Sequence, residues 1–191
     1  MRVRKTILAA ASLALSMACG GSTFATGSAT VNGTVGGQSM AAHDAVSALV
    51  NEGNSQAGAI AISNAPNQCS RLSARQGLAN GQVLGFELFS RVGSTVTPPT
   101  VETYPVYSSV AAPTATGPIA VVLFVASNAS CQFLFSEEGS SGTVTLSSVG
   151  ADGYVGTFDV VVGFTDHITG NFTAATCGAL ASVTSPTSCG P

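Results

Sequence analysis

The chain has 191 residues, only 8% of them charged, and a formal net charge of −3 at pH 7. Its one lysine and two of its five arginines lie within the first five positions, so the rest of the chain carries three arginines against nine acidic residues. Nucleic acids and polybasic membrane contacts both need clustered Lys or Arg, so this composition argues against both classes of partner. The length suits one domain with a hydrophobic core.

The first 18 residues have the parts of a bacterial signal peptide. Arg2, Arg4 and Lys5 give a positive start, an apolar stretch follows over 7–15, and small residues precede position 19. The apolar stretch is shorter than the ~20 residues that a membrane-spanning helix needs. The sequence therefore predicts export, with residues 1–18 removed.

Cys19 follows the predicted cleavage point and is expected to carry a lipid anchor. Residues 15–19 resemble the lipobox at which bacteria acylate a cysteine and cleave before it, although Leu15 lies one position further from the cysteine than is usual. Without Cys19 an even number of cysteines remains, in a compartment that permits disulfides. Several acyl chains hold a protein stably to a membrane, and Gly20 is not acidic, which favours the outer membrane or cell surface. Ordinary cleavage, giving a soluble periplasmic or secreted protein, is the alternative.

The first half of the mature chain reads mostly as strands. A tether containing Gly and Ser over 19–27 leads into alternating apolar and polar residues over 28–35. Gly36-Gly37 then predicts a hairpin turn. Residues 39–51 fit a helical stripe or a strand, and we favour a strand because the hairpin needs a returning partner. The segment 66–79 predicts one short helix.

Two features mark the middle of the chain. Pro105 interrupts the segment 101–110 and predicts an edge strand, since proline cannot donate to a ladder. Residues 119–126 are apolar throughout. They are therefore expected to form a central strand that is buried on both faces.

The C-terminal third has the most regular alternation. Three segments place apolar residues on one face and are separated by turn signals at 151–153 and 165–167; they are 143–147, 158–164 and 168–174. This pattern predicts an antiparallel meander. With about nine or ten short strands, the sequence predicts one all-β domain over 28–191, an antiparallel β-sandwich with a barrel as the runner-up.

Few residues could carry catalysis. His43 and His167 are the only histidines, and each has an acidic neighbour, Asp44 and Asp166. Adjacent residues on a strand point to opposite faces, so neither pair can act on one surface, and we read His43 as an ordinary strand residue and His167 as part of a surface turn. No G-x-S-x-G motif or zinc-binding spacing is present. We therefore expect no enzyme, no cofactor and no metal.

Two other residue sets are weak candidates for ligand binding. Asp152, Asp159 and Asp166 recur every seven residues, which places them alternately on turns and on a strand. They lack the clustering of a calcium loop, so we interpret the set as solvated turn residues. Sugar-binding sandwiches usually present exposed aromatic platforms, whereas this chain has no tryptophan. Tyr104 and Tyr107 differ in parity, so they could share a face only across a bulge.

Five segments resemble a pattern found in uncharacterised secreted lipoproteins of myxobacteria and their relatives. The closing half of that pattern has a G-T-V-x-L strand, a G-x-F strand and a G-x-F-x-A-x-x-C strand, which correspond to 141–146, 156–159 and 170–177. Its opening half is similar to 31–37 and 67–69. The resemblance implies a β-sandwich of unknown function, and it carries over no catalytic residue.

The same resemblance favours one disulfide pairing among the three that four cysteines allow. Cys69 and Cys177 both lie in the shared segments, so they are expected to be partners within the common core. Cys131 and Cys189 would then form a second bridge that holds the C-terminal tail, 185–191.

The function expected from the sequence is that of a non-enzymatic cell-envelope lipoprotein, a binding or structural surface module. Its membrane contact is the lipid on Cys19, and its protein or glycan partner is unidentified. One alternative is a glycan- or matrix-binding module, which an exposed aromatic pair in a groove would favour. The other is a cell-envelope hydrolase, which requires a histidine within hydrogen-bond reach of a Ser or Cys and a carboxylate.

The lipid anchor gives the first testable prediction. Mass spectrometry of the mature N-terminus is expected to find an acylated Cys19, and Cys19→Ser is expected to move the protein from the membrane fraction to the soluble fraction. A mature terminus at an unmodified Cys19, or at Ala25, would contradict the prediction.

Overall fold

The computed structural model describes residues 26–52, 55–183 and 185–190. The predicted signal peptide, Cys19 and most of the predicted tether lie outside the described residues. The strands are β1 (Ser28–Asn32), β2 (Thr34–Val35), β3 (Gln38–Ser39), β4 (Asp44–Glu52), β5 (Ser55–Ser63), β6 (Gln76–Leu78), β7 (Gln82–Val92), β8 (Thr95–Thr97), β9 (Thr103–Pro105), β10 (Gly117–Ser127), β11 (Phe133–Gly150), β12 (Gly153–Val162), β13 (Asp166–Thr176) and β14 (Ser188–Gly190). The α-helix is α1 (Gln68–Ser73), and short 3-10 helices cover Ala112–Thr114 and Gly178–Ser182.

Seven of the strands form one closed sheet. Its order is β4, β5, β7, β10, β11, β12 and β13, and β13 pairs again with β4. All of these contacts are antiparallel except the closing one, which is parallel. The predicted all-β class and the short helix are confirmed, and the architecture is that of the runner-up, a barrel. The structure does not confirm the sandwich.

The length and curvature of β11 explain why the sheet closes. This strand has 18 residues; its first part pairs with β10, and its later part pairs with β12 on one side and β9 on the other. Its register shifts twice against β12, between Gly139 and Ser141 and between Leu146 and Ser148. Such irregularities bend a strand and increase its twist, so one continuous sheet curves round instead of splitting into two facing sheets.

The barrel closes over a very short seam. Only Ala175 with Val46 and Thr176 with Ser47 are paired between β13 and β4. Hydrogen bonds extend the contact, because the Ser47 hydroxyl donates to Ala174 O at 2.9 Å and Cys177 N donates to Ser47 O at 2.7 Å. The pairing of β13 with β1 occupies the preceding part of β13, 169–173. The seam therefore depends on the few residues at the end of β13.

Aromatic side chains fill the barrel interior beside glycines. The Phe86 ring lies 5.3 Å from that of Phe158 and 6.0 Å from that of Phe172, measured between centroids. Gly156 pairs with Phe172 and Gly170 pairs with Phe158 across β12 and β13, and a Cβ on either glycine would collide with the opposite ring. The two glycines thus give the rings room, which explains why they interrupt otherwise regular alternation.

A buried carboxylate joins three parts of the chain. Asp44 is 2% exposed; its Oδ1 accepts hydrogen bonds from Gly27 N at 3.1 Å and Ala45 N at 2.8 Å, and its Oδ2 accepts one from Gln68 N at 2.8 Å. Hydrogen bonds to an ionised group are stronger than neutral ones and stabilise a buried carboxylate. Asp44 therefore fixes the first described residues, the start of β4 and the start of α1 relative to one another.

Most predicted elements are present, with shifted limits. The strand favoured over 39–51 corresponds to β4, and the Gly36-Gly37 turn joins β2 to β3. Helix α1 occupies the first half of the predicted segment 66–79. Pro105 ends the short strand β9, which pairs with β11.

Two details of the predicted pattern are wrong. On the outward face of β10, Ile119 is fully buried but Leu123 is 40% exposed, so this strand is buried on both faces only near its start. The turn before β13 begins at Gly163, with φ +62°, two residues before the predicted turn. Phe164 is therefore 98% exposed instead of facing the core with Phe158.

The structure contains the disulfides Cys69–Cys177 and Cys131–Cys189, which are the two favoured pairs. We expect Cys69→Ala and Cys177→Ala to lower the melting temperature by similar amounts, and the double variant to be no less stable than either single one. The bridge spans 108 residues, and the chain-entropy model assigns such a loop roughly 4 to 5 kcal/mol. Thermal unfolding followed by circular dichroism measures the effect. A double variant clearly less stable than both singles would show that the two thiols are not partners.

Candidate functional site

A small cap covers part of the outer surface of the barrel. We define the cap as α1, β6, Gly178–Ser182 and β14, and the wall beneath it as β5, β7 and β10. Both disulfides hold the cap in place. Cys69 and Cys189 belong to the cap, Cys177 directly follows the strand β13, and Cys131 lies just before β11. Within the cap, β14 pairs in parallel with β6.

A cleft of about 460 Å³ lies between the wall and the cap. Its lining is mostly apolar, and none of the described residues that line it is charged. The wall supplies Ala61, Val83 and Val125, and the cap supplies Leu72 and Leu180. Clefts of this size and composition are the usual form of binding sites for small molecules. Because the lining comes from many short segments, periodicity in the sequence gave no signal for it.

Two polar side chains line the cleft, and they differ in their hydrogen bonding. The Ser127 hydroxyl donates to Leu78 O at 2.5 Å and accepts from Gly81 N at 3.0 Å, so it holds the cap against the wall. Gln68 is only 7% exposed. Its side-chain amide makes no hydrogen bond within the part of the chain that the structure describes. An amide can both donate and accept, so Gln68 can orient a bound polar group.

The structure does not bring the two histidines together. His43 is exposed just before β4, whereas His167 is the second residue of β13 and its Nε2 lies 2.6 Å from Asp159 Oδ1. This carboxylate comes from the neighbouring strand β12, so His167 pairs across the sheet rather than with Asp166. The Asp166 carboxylate instead accepts a hydrogen bond from Gly36 N at 2.7 Å.

The predicted turn at Asp166 and His167 is wrong, since both residues begin β13, whereas Asp159 lies on a strand, as the seven-residue spacing indicated. The alignment of Asp159 with His167 follows from the register of β12 and β13, which the sequence alone does not fix. The two side chains are 68% and 57% exposed, respectively. Among the described residues, no hydroxyl or thiol is hydrogen-bonded to the pair, and no group of three or more His, Cys, Asp or Glu side chains could hold a metal ion.

The tyrosines do not form a sugar-binding platform. Tyr104 is fully buried; its hydroxyl donates to Thr100 O at 2.8 Å and accepts from Thr100 N at 2.7 Å. Burial raises the pKa of Tyr104 to about 12 and also raises the pKa of Tyr154. Tyr107 is half-buried against Phe89 and its neighbours. These tyrosines therefore stabilise the fold.

A second, polar surface lies on the outer face of β9, β11, β12, β13 and β1, and we call it the threonine face. Its residues form two rows across neighbouring strands. They are Thr103, Thr145, Thr157, Asn171 and Thr30 in the first row, and Thr143, Asp159, Thr169 and Asn32 in the second. The sequence shows these residues at alternate positions, but their alignment into rows appears only in the pairing register.

Comparison with known protein families, curated proteins and solved structures finds no match to this chain. Within the described residues, no helix is both long enough and apolar enough to cross a membrane.

The exposure of both histidines gives a further prediction. We expect the double variant His43→Ala with His167→Ala to fold normally and to melt within about 2 °C of the wild type, because exposed ion pairs and surface substitutions contribute little to stability. Calorimetry measures the melting temperature. If the double variant lost a measured catalytic activity while keeping its stability, the non-enzymatic interpretation would be wrong.

Proposed function

We propose that this protein is a non-enzymatic, lipid-anchored module of the bacterial cell envelope that binds a neutral amphiphile in the cleft between wall and cap. The ligand class has two parts, an apolar chain and one uncharged polar group. The observation that carries the proposal is the Gln68 side-chain amide, a neutral group that can both donate and accept, at an otherwise apolar cleft.

The energetics of the cleft favour such a ligand. Removing apolar surface from water contributes roughly 25 cal/mol per Å², and Ala61, Val83 and Leu180 offer apolar surface on both sides of the cleft. A polar group that a ligand buries in the cleft without a partner costs about 1 to 3 kcal/mol. The Gln68 amide can supply that partner to a hydroxyl or carbonyl group of the ligand. Since the lining has no charge, a charged ligand would lose its hydration without compensation.

The envelope location is supported by the disulfides and by the expected anchor. Two disulfides indicate an oxidising compartment outside the cytoplasm, in agreement with the export signal expected over 1–18. Gly27 N and Gln68 N donate to the two oxygens of one carboxylate, that of Asp44. The cleft therefore lies close to the point where the tether enters the domain. Gly27 is eight positions after Cys19, and an extended chain of eight residue steps spans at most roughly 29 Å, which keeps the cleft near the membrane.

The hydrolase alternative has little support from the geometry. It needs a nucleophile beside the histidine and the carboxylate. The His167 and Asp159 side chains instead form an exposed pair on a polar sheet, with no hydroxyl or thiol bonded to it in the described part of the chain. For the glycan-binding alternative, the tyrosines offer no exposed platform, but the threonine face offers an exposed polar surface.

Binding of the neutral dye N-phenyl-1-naphthylamine tests the cleft. Val125 and Leu123 both point outwards from β10, but only Val125 lines the cleft. We expect Val125→Trp to fill the cleft and weaken dye binding at least tenfold, and Leu123→Trp to leave it unchanged. Fluorescence titration measures both affinities. If both tryptophan variants bound the dye as the wild type does, the dye site would lie elsewhere and the proposal would fail.

Gln68→Leu separates the polar contact from the apolar ones. We expect this variant to bind the dye normally but to need at least fivefold more 1-dodecanol for its displacement, because the hydroxyl group loses its partner. If 1-dodecanol displaced the dye equally well from the wild type and the variant, Gln68 would not contribute to binding of the hydroxyl group.

A further inference from the structure

The threonine face lies on a different arc of the barrel from the cleft. Its first row crosses five neighbouring strands, because Thr145 pairs with both Thr103 and Thr157, and Asn171 pairs with both Thr157 and Thr30. Every residue of this row carries a hydroxyl or an amide. The row therefore forms a continuous band of neutral polar groups perpendicular to the strands.

The groups of the two rows differ in whether they have a partner among the described residues. The Thr103 and Thr145 hydroxyls are hydrogen-bonded to each other at 3.0 Å, and the Thr30 hydroxyl accepts from Asn171 N at 3.3 Å. In the described part of the chain, by contrast, the side chains of Thr143, Thr157 and Thr169 make no hydrogen bond. Each hydroxyl can donate one hydrogen bond and accept two. The face can thus serve a ligand that both donates and accepts hydrogen bonds.

The charges on the face select against ionic ligands. Asp159 is the only charged residue of the two rows, and His167 lies beside its carboxylate. The arginines of the mature chain lie elsewhere: Arg71 in α1, Arg75 just after it and Arg91 in β7. A polyanion would find no cation on this face, so the matching ligand is neutral and rich in hydroxyl groups.

The shape of the face favours a flexible polymer as the ligand. Neighbouring strands are about 4.8 Å apart, so a five-strand row extends about 19 Å. Each strand is rotated by roughly 20° to 25° relative to the next, so the row curves round the barrel. A shallow depression of about 390 Å³ lies over its centre, lined by Thr145, Thr157 and Asn171 among others. A flexible polymer can follow this curve, whereas a flat crystalline surface cannot.

We propose that the threonine face binds a neutral, soluble polysaccharide whose chain lies across β11, β12 and β13. Sugar hydroxyls exchange hydrogen bonds with the threonine and asparagine side chains, and the threonine methyl groups contact the C–H faces of the sugar rings. The face makes this contact without any aromatic side chain. The inference is independent of the ligand in the cleft.

Affinity electrophoresis tests the proposal with the full-length protein in a polyoxyethylene detergent, which contains no sugar. Native gels contain dextran, mixed-linkage β-glucan or hydroxyethyl cellulose, and gels with alginate serve as the anionic comparison. We expect retardation in at least one neutral gel and none in alginate. We expect the protein not to co-sediment with crystalline cellulose, because a flat surface cannot follow the curved face.

Matched variants assign the binding to the face. Thr157→Val with Thr169→Val keeps β-branched side chains but removes two free hydroxyls, and we expect it to raise the dissociation constant at least fivefold. The control, Thr95→Val with Thr116→Val, changes two exposed threonines outside the face, and we expect it to bind as the wild type does. Normal migration in all three neutral gels, stronger retardation in alginate, or equal retardation of the wild type and the Thr157/Thr169 variant would each overturn the proposal.

Discussion

Two residue pairs between β13 and β4 decide whether the sheet is a barrel or an open ribbon. Parallel pairing this short contributes little by itself, so the contacts around it must supply the rest. The Ser47 hydroxyl and the Cys69–Cys177 disulfide both act at the end of β13. Gly27 fits beside the seam because a Cβ there would collide with the carbonyl groups of Ala45 and Thr173. Opening of the seam would expose the interior phenylalanines, which makes this the point on which the core depends.

The cap depends on the same closure. Cys177 lies next to the seam and Cys69 lies in α1, so one covalent bond joins the barrel closure to the cap. The second bridge, from Cys131 to Cys189, fixes the opposite part of the cap. A cap with so few residues has little core of its own, and disulfides commonly replace a core in small units. The cleft therefore exists because the cap is tied down at both ends rather than packed flat against the wall.

Sequence reasoning was most successful where one side of a strand faces a closed apolar interior. The alternation in β12 and β13 predicted buried Phe158 and Phe172 because the barrel interior excludes water on that side. It failed where backbone geometry decides, as at Gly163, whose positive φ begins the turn early. The choice between sandwich and barrel depended on β11, whose first half contains Glu137 and Glu138 and shows no apolar alternation. The cleft and the rows of the threonine face required the pairing register, which no local pattern encodes.

The carboxylate of Asp44 has a mechanical consequence. The backbone N–H groups of Gly27 and Gln68 are hydrogen-bonded to its two oxygens, so one rigid, planar group connects the chain at Gly27 to the first turn of α1. Asp44 is itself held at the start of β4, which belongs to the barrel. A pull on the chain at Gly27 therefore meets the stiff sheet first and reaches α1 only if the carboxylate rotates. Such a pull leaves the position of α1 beside the cleft unchanged.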